Sequence, residues 1–108
     1  MSVQNLPISA IIIAKNEEKN IARCLDSLRF LPEVVVIDGH STDQTATIAQ
    51  QYANVVCKQS PWLGYSATKR LAVSHTSHPW VLWIDADEEV SPALESAIQK
   101  LFAEGNPT

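Results

Sequence analysis

No stretch of this chain is apolar for long enough to cross a bilayer: Ala10–Ala14 and the interrupted run Leu31–Ile37 fall far short of the roughly 18 residues a spanning helix needs. The start, Met1-Ser-Val-Gln-Asn-Leu-Pro7, lacks the charged opening and apolar core of a secretory leader, so a cytoplasmic location is expected, with at most peripheral membrane contact. Lysine and arginine number eight, are not clustered, and leave a net charge of −4, which argues against nucleic acid as the main partner because a duplex is held by grouped cations. Cysteine is scarce: Cys24 and Cys57 have no metal-ligand spacing and read as small buried hydrophobes. Neither a G-x-G-x-x-G after the first strand nor a G-x-x-x-x-G-K-[ST] occurs, which removes the dinucleotide fingerprint and the phosphate loop. There is no internal repeat and no low-complexity segment. What remains is an ordinary globular composition, 45% hydrophobic and 19% charged, on 108 residues, which reads as one small domain over 1–108.

The order of elements is legible from periodicity. An apolar run at 8–14 reads as a buried strand. Asn16 is placed to cap a helix with Glu17 and Glu18 in its first turn and Ile21, Cys24, Leu25 and Leu28 on its inner face. After Pro32, residues 34–37 give a second buried strand, ending in the polar loop Asp38-Gly-His-Ser-Thr-Asp43. Ser41 and Gln44 fit a capping box for a helix to about Ala53. A short strand at 55–57, a turn-rich loop at 59–64, a helix near 66–74 and a strand at 80–84 follow, then a helix opened by Ser91-Pro92 with Leu94, Ala97, Ile98, Leu101 and Phe102 on one face. This strand–helix alternation, four times over, predicts an α/β fold with a parallel, Rossmann-like sheet, flanking helices and right-handed crossovers.

The most informative segment is Trp80-Val-Leu-Trp-Ile-Asp-Ala-Asp-Glu-Glu89, where a stretch that reads as a strand buried on both faces runs into four carboxylates. Ligands of open α/β sheets bind outside the carboxyl ends of the strands. Asp85 and Asp87 fall there, as Asn16 and Asp38 do after the first two strands. Two carboxylates one residue apart offer hard oxygen ligands to Mg²⁺ or Mn²⁺ and leave coordination positions for a substrate diphosphate. The alternative use of the acids is to complement the N-terminus of the helix that begins at Ser91-Pro92. Glu17, Glu18 and His40 read as helix-start and loop residues rather than as catalysts.

Three motifs in order, Ile11-Ile-Ile-Ala-Lys-Asn-Glu-Glu18, Val35-Val-Ile-Asp-Gly-His-Ser-Thr-Asp-Gln-Thr45 and Trp83-Ile-Asp-Ala-Asp-Glu88, resemble the donor-binding half of a family 2 glycosyltransferase of the GT-A fold. The chain is particularly similar to the lipopolysaccharide core branch, the WaaE-type glucosyltransferases, and the resemblance covers about Ile8 to Leu101. It implies a UDP-sugar donor, a divalent cation, Mg²⁺ or Mn²⁺, bridging the diphosphate to the aspartate motif, and a glycan or lipid-linked acceptor. On this sequence Asp87 matches the principal metal ligand. Asp85 would face the ribose or the metal's water shell, Asp38 and the backbone of Ala14–Asn16 would line the nucleoside pocket, and Lys69 would contact the nucleotide. Read without the resemblance, Lys69 is a solvated helix lysine. Two departures stand out: Gly39 occupies a position where many members carry a second acid, and Arg70 stands where asparagine is frequent.

The resemblance also implies an inverting transfer whose carboxylate base comes from a segment after the aspartate motif, so no catalytic base is named within this chain, and the domain is expected to stop before the acceptor-binding part. The alternative is a catalytically silent nucleotide-binding or interaction module on the same fold. A sheet left incomplete after the fourth strand would expose unpaired backbone, which predicts self-association as a homo-oligomer.

Overall fold

A computed structural model describes residues 6–103. The elements run β1 (Ile8–Ala14), α1 (Ile21–Asp26), β2 (Glu33–Asp38), α2 (Thr45–Ala49), β3 (Val55–Gln59), α3 (Tyr65–Ser74), β4 (Trp80–Trp83) and α4 (Pro92–Ala103). The strands form one parallel sheet in the order β3-β2-β1-β4. The chain thus steps outward from β1 to β3 and then crosses back to the far side of β1. That reversal opens a crevice between the carboxyl ends of β1 and β4.

The sheet divides the apolar residues into two layers by simple alternation. Ala10, Ile12, Val34 and Val36 point to the side covered by α1 and α2 through Ile21, Cys24, Leu25, Leu28 and Ala49, with Ile98 and Phe102 of α4 joining at the margin. Ile11, Val35 and Ile37 point to the other side, where Ala72 and Leu71 of α3 meet them. One helix must therefore cover that second face alone.

The expected α/β alternation is present, and four local expectations are corrected. α1 does not start at Asn16. That residue adopts φ +55°, a left-handed conformation asparagine tolerates, and the helix begins four residues beyond Glu17 with Asn20 as its cap. The capping box of Ser41 and Gln44 does not form either, because the Ser41 hydroxyl donates to Asp38 Oδ1 (2.6 Å). Asp43 closes the turn instead, its Oδ1 accepting from the Thr45 amide (3.0 Å) and hydroxyl, and α2 stops at Ala49 rather than near Ala53. β4 is not buried on both faces: as the sheet's edge it leaves Trp80, Val81 and Trp83 between 37% and 40% exposed. Its residues Val81 and Trp83 pair in register with Ser9 and Ile11 and so lie on the face that α3 alone must cover. Lastly, α4 buries no residue completely, and Leu94 and Leu101 of its expected inner face are about half exposed.

Candidate active site

All four strands deliver their carboxyl ends to one cleft of about 600 Å³. Ala14, Lys15 and Glu17 enter from the end of β1, Ile37 and Gly39 from β2, Ser60 to Trp62 from the loop after β3, and Asp85 to Asp87 from the loop after β4. Tyr65 and Thr68 at the start of α3, with Trp83, complete the wall. The floor is apolar or small while the β4 side is carboxylate.

The acidic loop owes its geometry to alternation carried past the end of β4. Ile84, Ala86 and Val90 are buried, so Asp85 and Asp87, which alternate with them, are held out toward the cleft. α1 braces this loop along one side. The Arg23 guanidinium donates to the Asp87 carbonyl (3.3 Å) and pairs with Glu89 (3.5 Å), the Cys24 thiol approaches the Asp85 carbonyl (3.7 Å), and the Ser27 hydroxyl accepts from the Val90 amide (2.9 Å). Within the loop the Asp85 amide donates to Glu88 Oε1 (3.1 Å) and the Glu88 amide to the Asp85 carbonyl (3.0 Å). Glu88 and Glu89 are thus engaged in shaping the loop, and the side chains of Asp85 and Asp87 are left facing the cleft. Burial, then the carboxylate of Glu88, pushes the Cys24 thiol up to about 12, so it stays protonated and serves as packing.

The other strand-end residues form a second, connected layer. Asp38 is buried, and its carboxylate accepts from the Ser41 hydroxyl and amide (2.6 and 3.0 Å). The Asn16 amide donates to the same Ser41 hydroxyl (2.8 Å), while Asn16 Oδ1 accepts from the Thr42 amide (2.8 Å). The two loops are therefore clamped together, with Gly39 donating its amide to the Ala14 carbonyl (2.8 Å).

These observations give a four-stranded parallel sheet, a switch-point cleft and exposed strand-end carboxylates, and the sequence as a whole then decides the family. Residues 9–107 match the profile of glycosyl transferase family 2. The chain belongs to that family. Over 101 residues this family 2 domain is 48% identical to an uncharacterized glycosyltransferase of Rickettsia felis, covering 92% of this chain and 35% of that protein. It is 38% identical over 105 residues to the lipopolysaccharide core biosynthesis glycosyltransferase LpsC of Rhizobium meliloti, with 94% and 39% covered. Among solved structures it is similar to S. aureus TarS 1-349, with a TM-score of 0.75 at 27% identity over 90% of this chain and 32% of that one. Mannosyl-3-phosphoglycerate synthase from Rubrobacter xylanophilus shares the fold, with a TM-score of 0.69 at 22% identity over 79% of this chain and 32% of that one. The fold is GT-A. The chain spans between a third and two fifths of the length of these two curated relatives.

Within this family 2 domain the cleft gathers Ala14, Asp85 and Asp87 from the residues expected at the site. Asp38 and Asn16 stand just behind, tied to one another through Ser41. Lys69 does not line the cleft directly; its ammonium lies 4.7 Å from the centre of the Trp83 ring, which does. Sequence reasoning counted Lys15 only through its backbone, set Glu17 aside as a helix-start residue and passed over Trp62 and Tyr65, all of which line the cleft. The Lys15 side chain was open to the same strand-end argument as Asn16, and the turn-rich loop at 59–64 hid Trp62 among breakers.

Proposed function

We propose that this domain binds the nucleotide-sugar donor of an inverting, metal-dependent glycosyltransferase, taking a UDP-sugar whose sugar passes to a lipopolysaccharide or other glycan acceptor. The observation that carries this reading is the pair Asp85 and Asp87, held toward a switch-point cleft by buried Ile84 and Ala86 and braced by α1. The donor set fits a hard divalent cation. Among the described residues no three His, Cys, Asp or Glu groups converge to hold a metal alone, whereas two carboxylates completed by diphosphate oxygens and water make an oxygen-only shell suited to Mg²⁺ or Mn²⁺. Asp87 would be the principal ligand and Asp85 its neighbour or the contact to the ribose. Bound there, the cation would neutralise charge on the departing diphosphate.

The protein's own part is placement. Asp85 and Asp87 fix where the diphosphate sits, Ala14 to Asn16 and the layer behind Gly39 line the nucleoside, and Lys15 supplies positive charge at the wall, with Lys69 against the Trp83 ring. The acceptor surface and the carboxylate base that takes the acceptor proton would come from parts of the enzyme outside this chain. The similarity to LpsC supports an acceptor of the lipopolysaccharide core class. Among the described residues no helix is long and apolar enough to cross a membrane, and a lipid-linked acceptor would be met peripherally.

Calorimetric titration of UDP into the chain, with and without Mn²⁺ and repeated on Asp87→Ala, tests the reading. Metal-dependent binding that disappears in the variant is expected. UDP binding of equal strength with and without metal, or in the variant, would sink it.

A further inference from the structure

The charges of this chain are unevenly placed. Between Asp43 and Asp85 there is no aspartate or glutamate, so that stretch carries only the cations Lys58, Lys69 and Arg70, together with His75 and His78. The fold brings the three cations to one side. Lys58 of β3 pairs in register with Ile37 and so shares the sheet face that α3 covers, where it is exposed. α3 turns Thr68, Leu71 and Ala72 inward, which leaves Lys69 and Arg70 on its outer side. Apolar side chains are open on the same side. Trp62 and Leu63 in the loop after β3, Tyr65 and Val73 on α3, and Val81 and Trp83 on β4 are between 38% and 72% exposed. The loop is held in place by bonds at both ends: buried Ser60 donates its amide to the Asp38 carbonyl (3.0 Å), and the Leu63 amide donates to the hydroxyl of buried Thr68 (3.1 Å). Gly64, at φ +90°, makes the turn into α3 that sets Trp62 and Tyr65 edge-to-face, with centroids 4.9 Å apart.

We propose that this α3 face is a membrane-binding surface that takes a bilayer with anionic headgroups. Exposed tryptophan and tyrosine among lysine and arginine are the side chains that settle at a bilayer interface, the rings at headgroup depth and the cations against phosphates. A second copy of the chain fits the face poorly, because an isologous contact would bring the two sets of cations together. The net charge of −4 does not oppose the contact. α1, α2 and α4, which carry Asp26 and Glu95, pack on the other side of the sheet, and acids farther from the bilayer than a Debye length of about 8 Å are largely screened from it. On the α3 side Glu33 is engaged by Ser9 and Ser77, and Glu17, Asp85 and Asp87 belong to the cleft. Trp62 and Tyr65 line that same cleft, so a membrane on this face meets its mouth, where a lipid-linked acceptor would arrive. The inference goes beyond the donor-binding reading and does not depend on it.

Vesicle flotation without nucleotide or metal tests the surface, so its outcome is separate from that of the UDP titration. The unaltered chain is expected to float with vesicles of phosphatidylcholine mixed with phosphatidylglycerol, not with phosphatidylcholine alone, and to be released in 1 M salt, where the screening length falls to about 3 Å. Each cation near an anionic surface contributes about five-fold to partitioning, so Lys58→Glu with Arg70→Glu should weaken it at least ten-fold. Leu63→Ser should weaken it about five-fold by removing apolar area. Lys19→Glu with Lys100→Glu makes the same change of net charge beside α1 and on α4, and should stay within about two-fold of the unaltered chain. All of these side chains are exposed, and the thermal unfolding midpoint of each variant checks that it folds. No flotation with the anionic vesicles, equal flotation with the neutral ones, or equal losses in the two charge-reversed pairs overturns the proposal.

Discussion

Asn16 shows how a single side chain sets the relation of two loops. It sits at φ +55° directly after β1, where the chain must turn away from the sheet, and its Oδ1 receives the Thr42 amide while its own amide donates to Ser41. Asparagine suits this double duty because its short amide side chain eases the left-handed conformation that a Cβ otherwise opposes. Asn16→Ala therefore loses the hydrogen bond and gains strain, and we expect about 2 kcal/mol less stability in urea unfolding. Asn16→Gly, which loses the bond without the strain, should cost about half of that. No loss in either variant would mean that the clamp does not hold in solution. The sequence suggested Asn16 for the site by its place after a strand, and suggested it also as a helix cap. The cap does not form, because the next two amides are taken from across the loop: Glu17 donates to Thr45 Oγ1 (2.8 Å) and Glu18 to Asp43 Oδ2 (3.2 Å). Those partners lie 25 and more residues away, a distance at which local capping rules carry no information.

Among the elements, the end of the sheet opposite the cleft is locked by a polar knot. Ser9 on β1 donates its hydroxyl to Glu33 on β2 (2.7 Å), and the Ser77 amide and hydroxyl, in the turn between α3 and β4, donate to the same carboxylate (2.7 and 3.2 Å). His78 Nδ1 lies 2.9 Å from the Ser9 hydroxyl oxygen, and since that hydroxyl gives its proton to Glu33, the ring nitrogen is the donor to it. Burial alone would raise the Glu33 pKa, but the bonds from Ser9 and Ser77, with the nearby His78, outweigh it and hold the carboxyl below its usual value. A depressed acid stabilises the fold fully above its unfolded pKa of about 4.3 and stops doing so as pH falls through the lower folded value. The midpoint of thermal unfolding followed against pH should therefore drop on the acid side, and Glu33→Gln should flatten that limb while lowering stability near neutrality. An unaltered acid limb in Glu33→Gln would show that the knot contributes nothing. The strands that this knot joins were legible as apolar runs, since Ile8–Ala14 and 34–37 fall where periodicity put them. Its members were not, because Ser9, Glu33 and His78 become neighbours only when β1, β2 and β4 are laid side by side.

At the scale of the whole molecule, the sheet is unequal at its two edges and on its two faces. The alternation of strands and helices sufficed to foresee a parallel α/β sheet, but the strand order did not follow from it, and a fully apolar 80–84 reads the same whether central or at an edge. As the edge strand, β4 keeps its outer N–H and C=O groups unpaired within the sheet. Beside it Trp80, Val81 and Trp83 are partly open, α3 covers the second face alone, and α4 reaches the core only through Ile98 and Phe102 while showing Leu94 and Leu101. Apolar side chains next to an open ladder are the conditions under which strands of separate molecules pair. We therefore expect the chain to self-associate, with a light-scattering mass above that of the 11.9 kDa monomer and rising with concentration. Val81→Lys places a charge on the exposed side of β4, away from the acidic loop, and should return the mass toward the monomer while leaving metal-dependent UDP binding in place. A monomeric mass for the unaltered chain across the concentration range would show that the open edge is protected by its short length, four residues, without help from a partner.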